Sequence, residues 1–309
     1  MDEKNQLKQA YGAAIIFSLV VGFSFLAVKT CVPLASTLQI LVWRYNWAAL
    51  LMGVLIAIGI VKIRLAGKPK KNLMLTAGSY IGFMIFQTIG LIFATSIESG
   101  IIFAIIPILS KLIAGVVLKE KTGWVQNISM VLSISALMVM ILMGSTGIQT
   151  NIIGLVVLII SSISMAISNV YMRYVRQVYR PVEITAAICF MGVFAFNLGY
   201  LVSGEAVHYL EPLRYTEFVV STLYLGTACI VLSAQLMAFM LRYMPAVNAT
   251  IFGNLSTAIS IVAGVVILKE PLMLYHILCT VLIILGVLGV SKPDIIGNFL
   301  KERKTVKES

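Results

Sequence analysis

The amino-acid sequence predicts an all-α integral membrane protein whose ten transmembrane helices form two inverted five-helix repeats. Three observations lead there: a composition too apolar for a soluble core, ten apolar runs long enough to cross a bilayer, and a set of short motifs that recurs at an offset of 149 residues.

Of the 309 residues, 60% are hydrophobic and 11% charged, with a mean hydropathy of +1.01. An ordinary soluble domain is about a quarter charged. The net charge of +11 would suit nucleic acid, but the basic residues sit in short clusters between apolar runs rather than on one polar face. Membrane topology accounts for them better. Cys31, Cys189, Cys229 and Cys279 lie in apolar stretches without a CxxC pair, and His208 and His276 share no ligand spacing. Neither a disulfide framework, a metal site nor a cofactor is expected.

A hydrocarbon core about 30 Å thick requires roughly 20 apolar residues per helix, because every backbone N–H and C=O must be paired within the segment. Runs near 11–29, 38–61, 73–93, 97–118, 124–143, 152–173, 182–203, 217–240, 246–268 and 272–290 meet that requirement. The third and fourth are parted only by Thr95-Ser96-Ile97-Glu98, and the eighth and ninth only by Arg242-Tyr243-Met244-Pro245, so tight hairpins are expected. The polar start with Lys4 and Lys8 leads into a retained first span rather than a cleaved signal. Orientation follows from Lys and Arg in the loops. With both termini cytoplasmic, the outer side receives only Lys29, Arg214 and Lys269, while Arg44 and Lys111 fall inside spans. Short loops and the lack of an organelle-targeting segment favour the plasma (inner) membrane.

Ile102-Phe103-Ala104 recurs as Ile251-Phe252-Gly253, and Ala114-Gly115-Val116-Val117 as Ala263-Gly264-Val265-Val266. After a one-residue insertion, Leu118-Lys119-Glu120 recurs as Leu268-Lys269-Glu270. Three matches in one order indicate duplication. The halves are set at 1–146 and 147–291, with a basic cytoplasmic tail over 292–309. Five crossings are an odd number, so the second copy enters the bilayer inverted. Proteins of that architecture bind solute near the midplane between the halves. Gly100-xxx-Ala104 and Ala249-xxx-Gly253 would let the fourth and ninth helices approach neighbours closely.

On these repeated elements the sequence resembles the drug/metabolite transporter superfamily, specifically its EamA-type ten-helix members. The resembling pattern runs from Pro107 through Ala114-Gly115 to Lys119-Glu120, and again from Ala263-Gly264 to Lys269-Glu270-Pro271. The family's arginine early in its second span looks like Arg44 in Trp43-Arg44-Tyr45. Ser256 or Thr257 stands where the family usually has its second proline, which sets apart the flexing of the two halves. The resemblance implies a secondary transporter, with export the expected direction, for metabolites, amino acids or related organic solutes. A facilitated-diffusion carrier and a small multidrug-type exporter are the alternatives. The implied partners are a small-molecule solute, the lipid bilayer and a coupling proton or ion.

Polar groups inside hydrocarbon are costly and are default functional candidates. Lys111 follows Pro107 by about one turn, and the two would form a cationic notch, or Lys111 would snorkel to the inner interface. Arg44 would line the path or, on the reading its position favours, anchor near the outer end or bond backbone carbonyls. Gln87, Asn169, Gln235 and Asn254 could line one cavity or act as interhelical glue, with Tyr80 and Ser168 as lesser candidates. Gly100, Gly253, Pro107, Glu120 and Glu270 are structural or gating candidates, the two glutamates through an ion pair or a helix start. Glu98 and Glu183, at span ends, are expected at the interface. The first span carries no acid, which disfavours exchange of protons for lipophilic cations, and the intramembrane cations favour anionic or zwitterionic solutes. A membrane enzyme would need convergent Ser/His/Asp, HExxH or phosphate-cradling groups, and none of these patterns occurs. A receptor would more naturally carry a long polar segment. Without a GxxxxGK[ST] motif, energy must come from a solute or ion gradient.

Overall fold

The computed structural model describes residues 3–64, 67–117, 123–145, 151–204, 208–243 and 246–291, and these are all-helical. The helices are α1 (Glu3–Cys31), α2 (Thr37–Ala57), α3 (Lys71–Phe93), α4 (Ser96–Phe103), α5 (Ile106–Val117), α6 (Trp124–Ser145), α7 (Ile152–Val175), α8 (Pro181–Val202), α9 (Thr216–Gly226), α10 (Ser233–Tyr243), α11 (Ala246–Val266) and α12 (Leu274–Ser291). Among the described residues, seven helical segments are long and apolar enough to span a membrane, and three shorter apolar helices lie at Trp124–Val139, Leu255–Val266 and Leu274–Gly289. The helices that hold those three run 22, 21 and 18 residues. The boundary expected at 146/147 and the tail over 292–309 fall outside the described residues.

Local sequence fixes the helix starts. Ser36 caps α2 in a reciprocal box with Gln39, and Thr95 caps α4 in the same way with Glu98. Because Thr95 supplies that cap, Ser96 is already helical, and the turn between α3 and α4 is shorter than the four residues read from the sequence. Pro181 opens α8 at a position where its missing N–H costs nothing.

Two irregularities interrupt otherwise continuous helices. Pro107 has no N–H to give the Phe103 carbonyl, and α4 ends there. Tighter turns bridge the gap, with Ile105 N donating to Ile102 O at 3.2 Å and Ile108 N to Ile105 O at 2.9 Å. The corresponding stretch around Ser256 and Thr257 lacks a proline, and α11 runs through it unbroken. Between α9 and α10, residues Thr227–Leu232 widen into a π-helical stretch. It begins at the residue after Gly226, where α9 crosses α2.

Packing follows a few dominant pairs: α3 on α7, α6 on α12, α1 on α11, α2 on α8, and α1 on α9 and α10. Side-chain hydroxyls join neighbours by donating to their backbones, as Ser18 does to Phe252 O at 2.7 Å, Ser161 to Phe83 O at 2.8 Å and Tyr224 to Val20 O at 2.6 Å. Phe103, at the broken end of α4, meets Phe25 of α1 and Phe83 of α3 with ring centroids 5.5 and 5.4 Å apart. The outside carries exposed Leu50, Val54, Phe194 and Leu198. An exterior of that kind suits hydrocarbon, which demands no hydrogen bonds from it.

Candidate functional site

One run on α2, Trp43-Arg44-Tyr45-Asn46-Trp47, gathers the strongest polar anomalies of the bundle. Arg44 is only 2% exposed, and its Nε and Nη1 have no hydrogen-bond partner. The Tyr45 hydroxyl and the Trp47 indole N–H are buried and partnerless as well. Tyr45, Tyr80, Cys31 and Cys229 lie within electrostatic reach of the guanidinium, and all are neutral side chains. Burial to 2% exposure speaks against an anchor at the outer interface, while Nη2 is not among the partnerless atoms. Two glycines bring flanking helices close to this run: Gly192 of α8 lies against the Tyr45 ring, and Gly226 of α9 against the backbone of α2. A Cβ at Gly226 would meet Trp47 Cβ at 2.9 Å and Ala48 N at 3.0 Å.

Within the same run, Trp43 and Asn46 do find partners. Asn46 Nδ2 donates to the Tyr209 hydroxyl at 2.6 Å, Tyr209 to Asn197 Oδ1 at 2.8 Å, and Asn197 Nδ2 back to Asn46 Oδ1 at 2.8 Å. Trp43 Nε1 donates to Tyr209 O at 3.1 Å. This closed ring ties α2 to α8 and to the segment before α9. A pocket of about 340 Å³ is lined by residues including Pro33, Ser36, Gln39, Glu211 and Tyr215.

The other sequence candidates divide between glue and open roles. Ser168 donates to Thr76 O at 2.9 Å, and so joins α7 to α3. Asn169 Nδ2 reaches Ser110 Oγ at 3.5 Å, and Gln235 Nε2 reaches Thr185 Oγ1 at 3.4 Å, both long contacts between helices. Gln87 is 3% exposed with Oε1 partnerless, and it stands two turns from Tyr80 on the same face of α3. Lys111 is half-buried on α5 and has an interaction of its own. The side chain of Asn254 and all of Glu120 lie outside the described residues. Gly100 packs against Ser260 Oγ and Thr257 O of α11, whereas a Cβ at Gly253 would meet nothing within 4 Å, so that glycine serves no close approach.

The glutamates are corrected in detail. Glu98 and Glu183 are each 1% exposed rather than interfacial. Glu98 accepts from Thr95 N and Oγ1 at 2.9 Å. Glu270 does take a helix-start role, at the N-terminus of α4: it accepts from Ser96 N at 2.9 Å, Ser96 Oγ at 2.7 Å and Ile97 N at 3.2 Å. Glu183 accepts from Arg180 N at 2.9 Å, Arg64 N at 3.1 Å and Lys68 Nζ at 2.8 Å. Sequence reasoning passed over Trp47, Gly226, Gln39 and the Asn46–Asn197–Tyr209 ring. The only available signal was the crowding of aromatic and polar residues around Arg44.

Comparison with known proteins adds the following. The model of the EamA-like transporter family matches residues 152–292. An uncharacterized transporter of Bacillus subtilis, YcxC, is 33% identical over 308 residues, covering 98% of this chain and 96% of its own. An uncharacterized transporter of Archaeoglobus fulgidus is 21% identical over 276 residues, covering 88% of this chain and 96% of its own. A solved crystal structure shares the fold at a TM-score of 0.53 and 14% identity, covering 90% of this chain and 94% of that one.

Proposed function

Because the chain belongs to the EamA-like transporter family, we propose that it is a secondary transporter that moves small organic solutes, in the export direction, across the plasma membrane by alternating access. In this reading α4 with α5, and α9 with α10, are single spans. The ten spans then form two inverted halves, with both termini in the cytoplasm.

Reciprocal packing carries the proposal. Taking α1 to match α7, α2 to match α8, α3 to match α9–α10, α4–α5 to match α11 and α6 to match α12, the contacts come in mates. The packing of α3 on α7 is matched by α9–α10 on α1, and that of α4–α5 on α7 by α11 on α1. The remaining matched pairs, α2 with α8, α4 with α11 and α6 with α12, pack directly on one another. A two-fold axis between two similar halves generates such a pattern. In a membrane, it allows the halves to rock about a solute held between them.

The test is a flux panel of amino acids and other small metabolites with the purified protein in liposomes, run with and without a proton gradient. Saturable flux above that of protein-free liposomes is expected, and concentrative flux only with the gradient assigns proton coupling. Equal flux in both conditions assigns facilitated diffusion, and no flux of any solute rejects the proposal. Cysteines introduced at Lys119 and Lys269 test the inversion, because the four native cysteines are all buried. Impermeant thiol reagent is expected to reach the first from the inside only and the second from the outside only.

A further inference from the structure

We infer that Arg44 and Trp47 form the recognition site for the carboxylate of a small organic anion, an inference that rests on the transporter reading and names the solute class it carries.

The argument starts from charge. A guanidinium stays protonated in a protein whatever its surroundings, so Arg44 cannot escape burial by losing its proton. At 2% exposure it needs a compensating negative charge or a full set of acceptors, or it costs several kcal/mol. Neither is present. Among the described residues no ion pair involves Arg44, and its Nε and Nη1 are partnerless. The Asn46–Tyr209–Asn197 ring is closed on itself, and none of its bonds goes to Arg44.

A second observation points to the same ligand. Trp47 stands three residues from Arg44, which puts the two Cβ atoms about 5–6 Å apart on one face of α2. Its indole nitrogen, a donor that cannot accept, is also buried without a partner. Gly226 brings α9 against this face at the backbone of Arg44 and Ala48, and the helix then widens into its π-helical stretch. Irregular turns of this kind recur at functional sites. Donors of two residue types with no acceptor between them complement an anion. One buried positive charge balances a carboxylate one to one, and a phosphate dianion would leave a charge over.

The experiment measures the thermal unfolding of the purified full chain in detergent at constant ionic strength, against acetate, glycolate and lactate and against the matched amides, with inorganic phosphate as a further arm. For the unsubstituted protein, Tm is expected to rise on the order of 5 °C at a carboxylate concentration about a hundredfold above the dissociation constant. The amides and phosphate are expected to leave it unmoved. Arg44→Met is expected to abolish the carboxylate response and, by removing an uncompensated charge, to leave the starting Tm unchanged or higher. Arg44→Lys keeps the charge without the planar fork and shifts the response to roughly tenfold higher concentration. Trp47→Phe is expected to weaken it severalfold while Tm holds. The inference is overturned if none of the carboxylates moves the unsubstituted protein, if amides or phosphate move it equally, or if Arg44→Met keeps the response. A fall in the starting Tm of Arg44→Met by more than about 5 °C also overturns it, because the arginine would then be a structural tie. These readings do not depend on flux. A carboxylate response without transport would reject the transporter reading alone, and transport without an Arg44-dependent response would reject the site alone.

Discussion

The first turns of α2 and α8 carry the same device in two chemistries. In each, the third helical residue turns back to its own cap and also holds a segment from across the bundle. Gln39 Oε1 accepts from Ser36 N at 2.9 Å, and its Nε2 donates to His208 O at 3.0 Å, in the segment that follows α8. Glu183, 144 residues later, accepts from Arg180 N at 2.9 Å and from Arg64 N at 3.1 Å, in the segment that follows α2. Each helix start therefore pins the loop at the end of the other helix. The difference lies in charge: Gln39 holds its loop with a neutral amide, while Glu183 holds its own with a buried carboxylate that also takes Lys68 Nζ at 2.8 Å. Hydrogen bonds to an ionised group are roughly twice as strong as neutral ones. The loop after α2 is thus held harder than the loop after α8.

The largest expected effect tests the stronger pin. Glu183→Ala would leave the N–H groups of Arg64 and Arg180 without their acceptor and strand Lys68 beside an apolar helix end, at a cost of about 3 kcal/mol. Tryptophan-monitored unfolding should show a drop in Tm on the order of 6–10 °C. Gln39→Ala removes three neutral bonds, one of them a long contact with the Tyr200 hydroxyl, from a less charged site and should cost about 1–2 kcal/mol. Equal losses at the two positions would break the comparison, and a larger loss at Gln39 would reverse it.

How far these pins were legible in the sequence depends on what a linear pattern encodes. Helix existence was legible because lipid forces about 20 apolar residues into each crossing, and the broken fourth span was legible because Pro107 removes a donor whatever packs around it. Glu183 was read as interfacial from its place at a span end. Nothing in that place says that the loop holding Arg64 and Lys68 folds back over it. Arg44 was read as an outer anchor because its depth along α2 is within reach of the interface. The close approaches around it come from Gly192 and Gly226, about 150 and 180 positions away, and their meaning appears only once α8 and α9 are packed on α2. Ser168 failed in the opposite direction: a hydroxyl in an apolar helix looks like a cavity group until a neighbouring carbonyl, here that of Thr76, is found to accept from it. Glu270 was legible as a helix-start residue but not in its target, since its carboxylate caps α4 and not the helix that follows it.

The smallest effect separates the two ways in which the α8 pin can be strong. Lys68 is a quarter exposed and Glu183 almost wholly buried, so water and salt screen one side of the pair. Two backbone donors remain on the carboxylate when the ammonium is removed. Lys68→Met should therefore cost less than about 1 kcal/mol, and raising salt to about 1 M, where charges are screened beyond about 3 Å, should bring the unsubstituted protein close to the variant. Hydrogen exchange at the Arg64 amide gives the local readout, and its protection should survive in Lys68→Met and vanish in Glu183→Ala. Should Lys68→Met instead lower Tm as far as Glu183→Ala and free the Arg64 amide, the loop would be held by the ion pair and not by the carboxylate's grip on the backbone. The contrast with Gln39 would then be one of attraction between side chains, and a high-salt buffer would be enough to erase it.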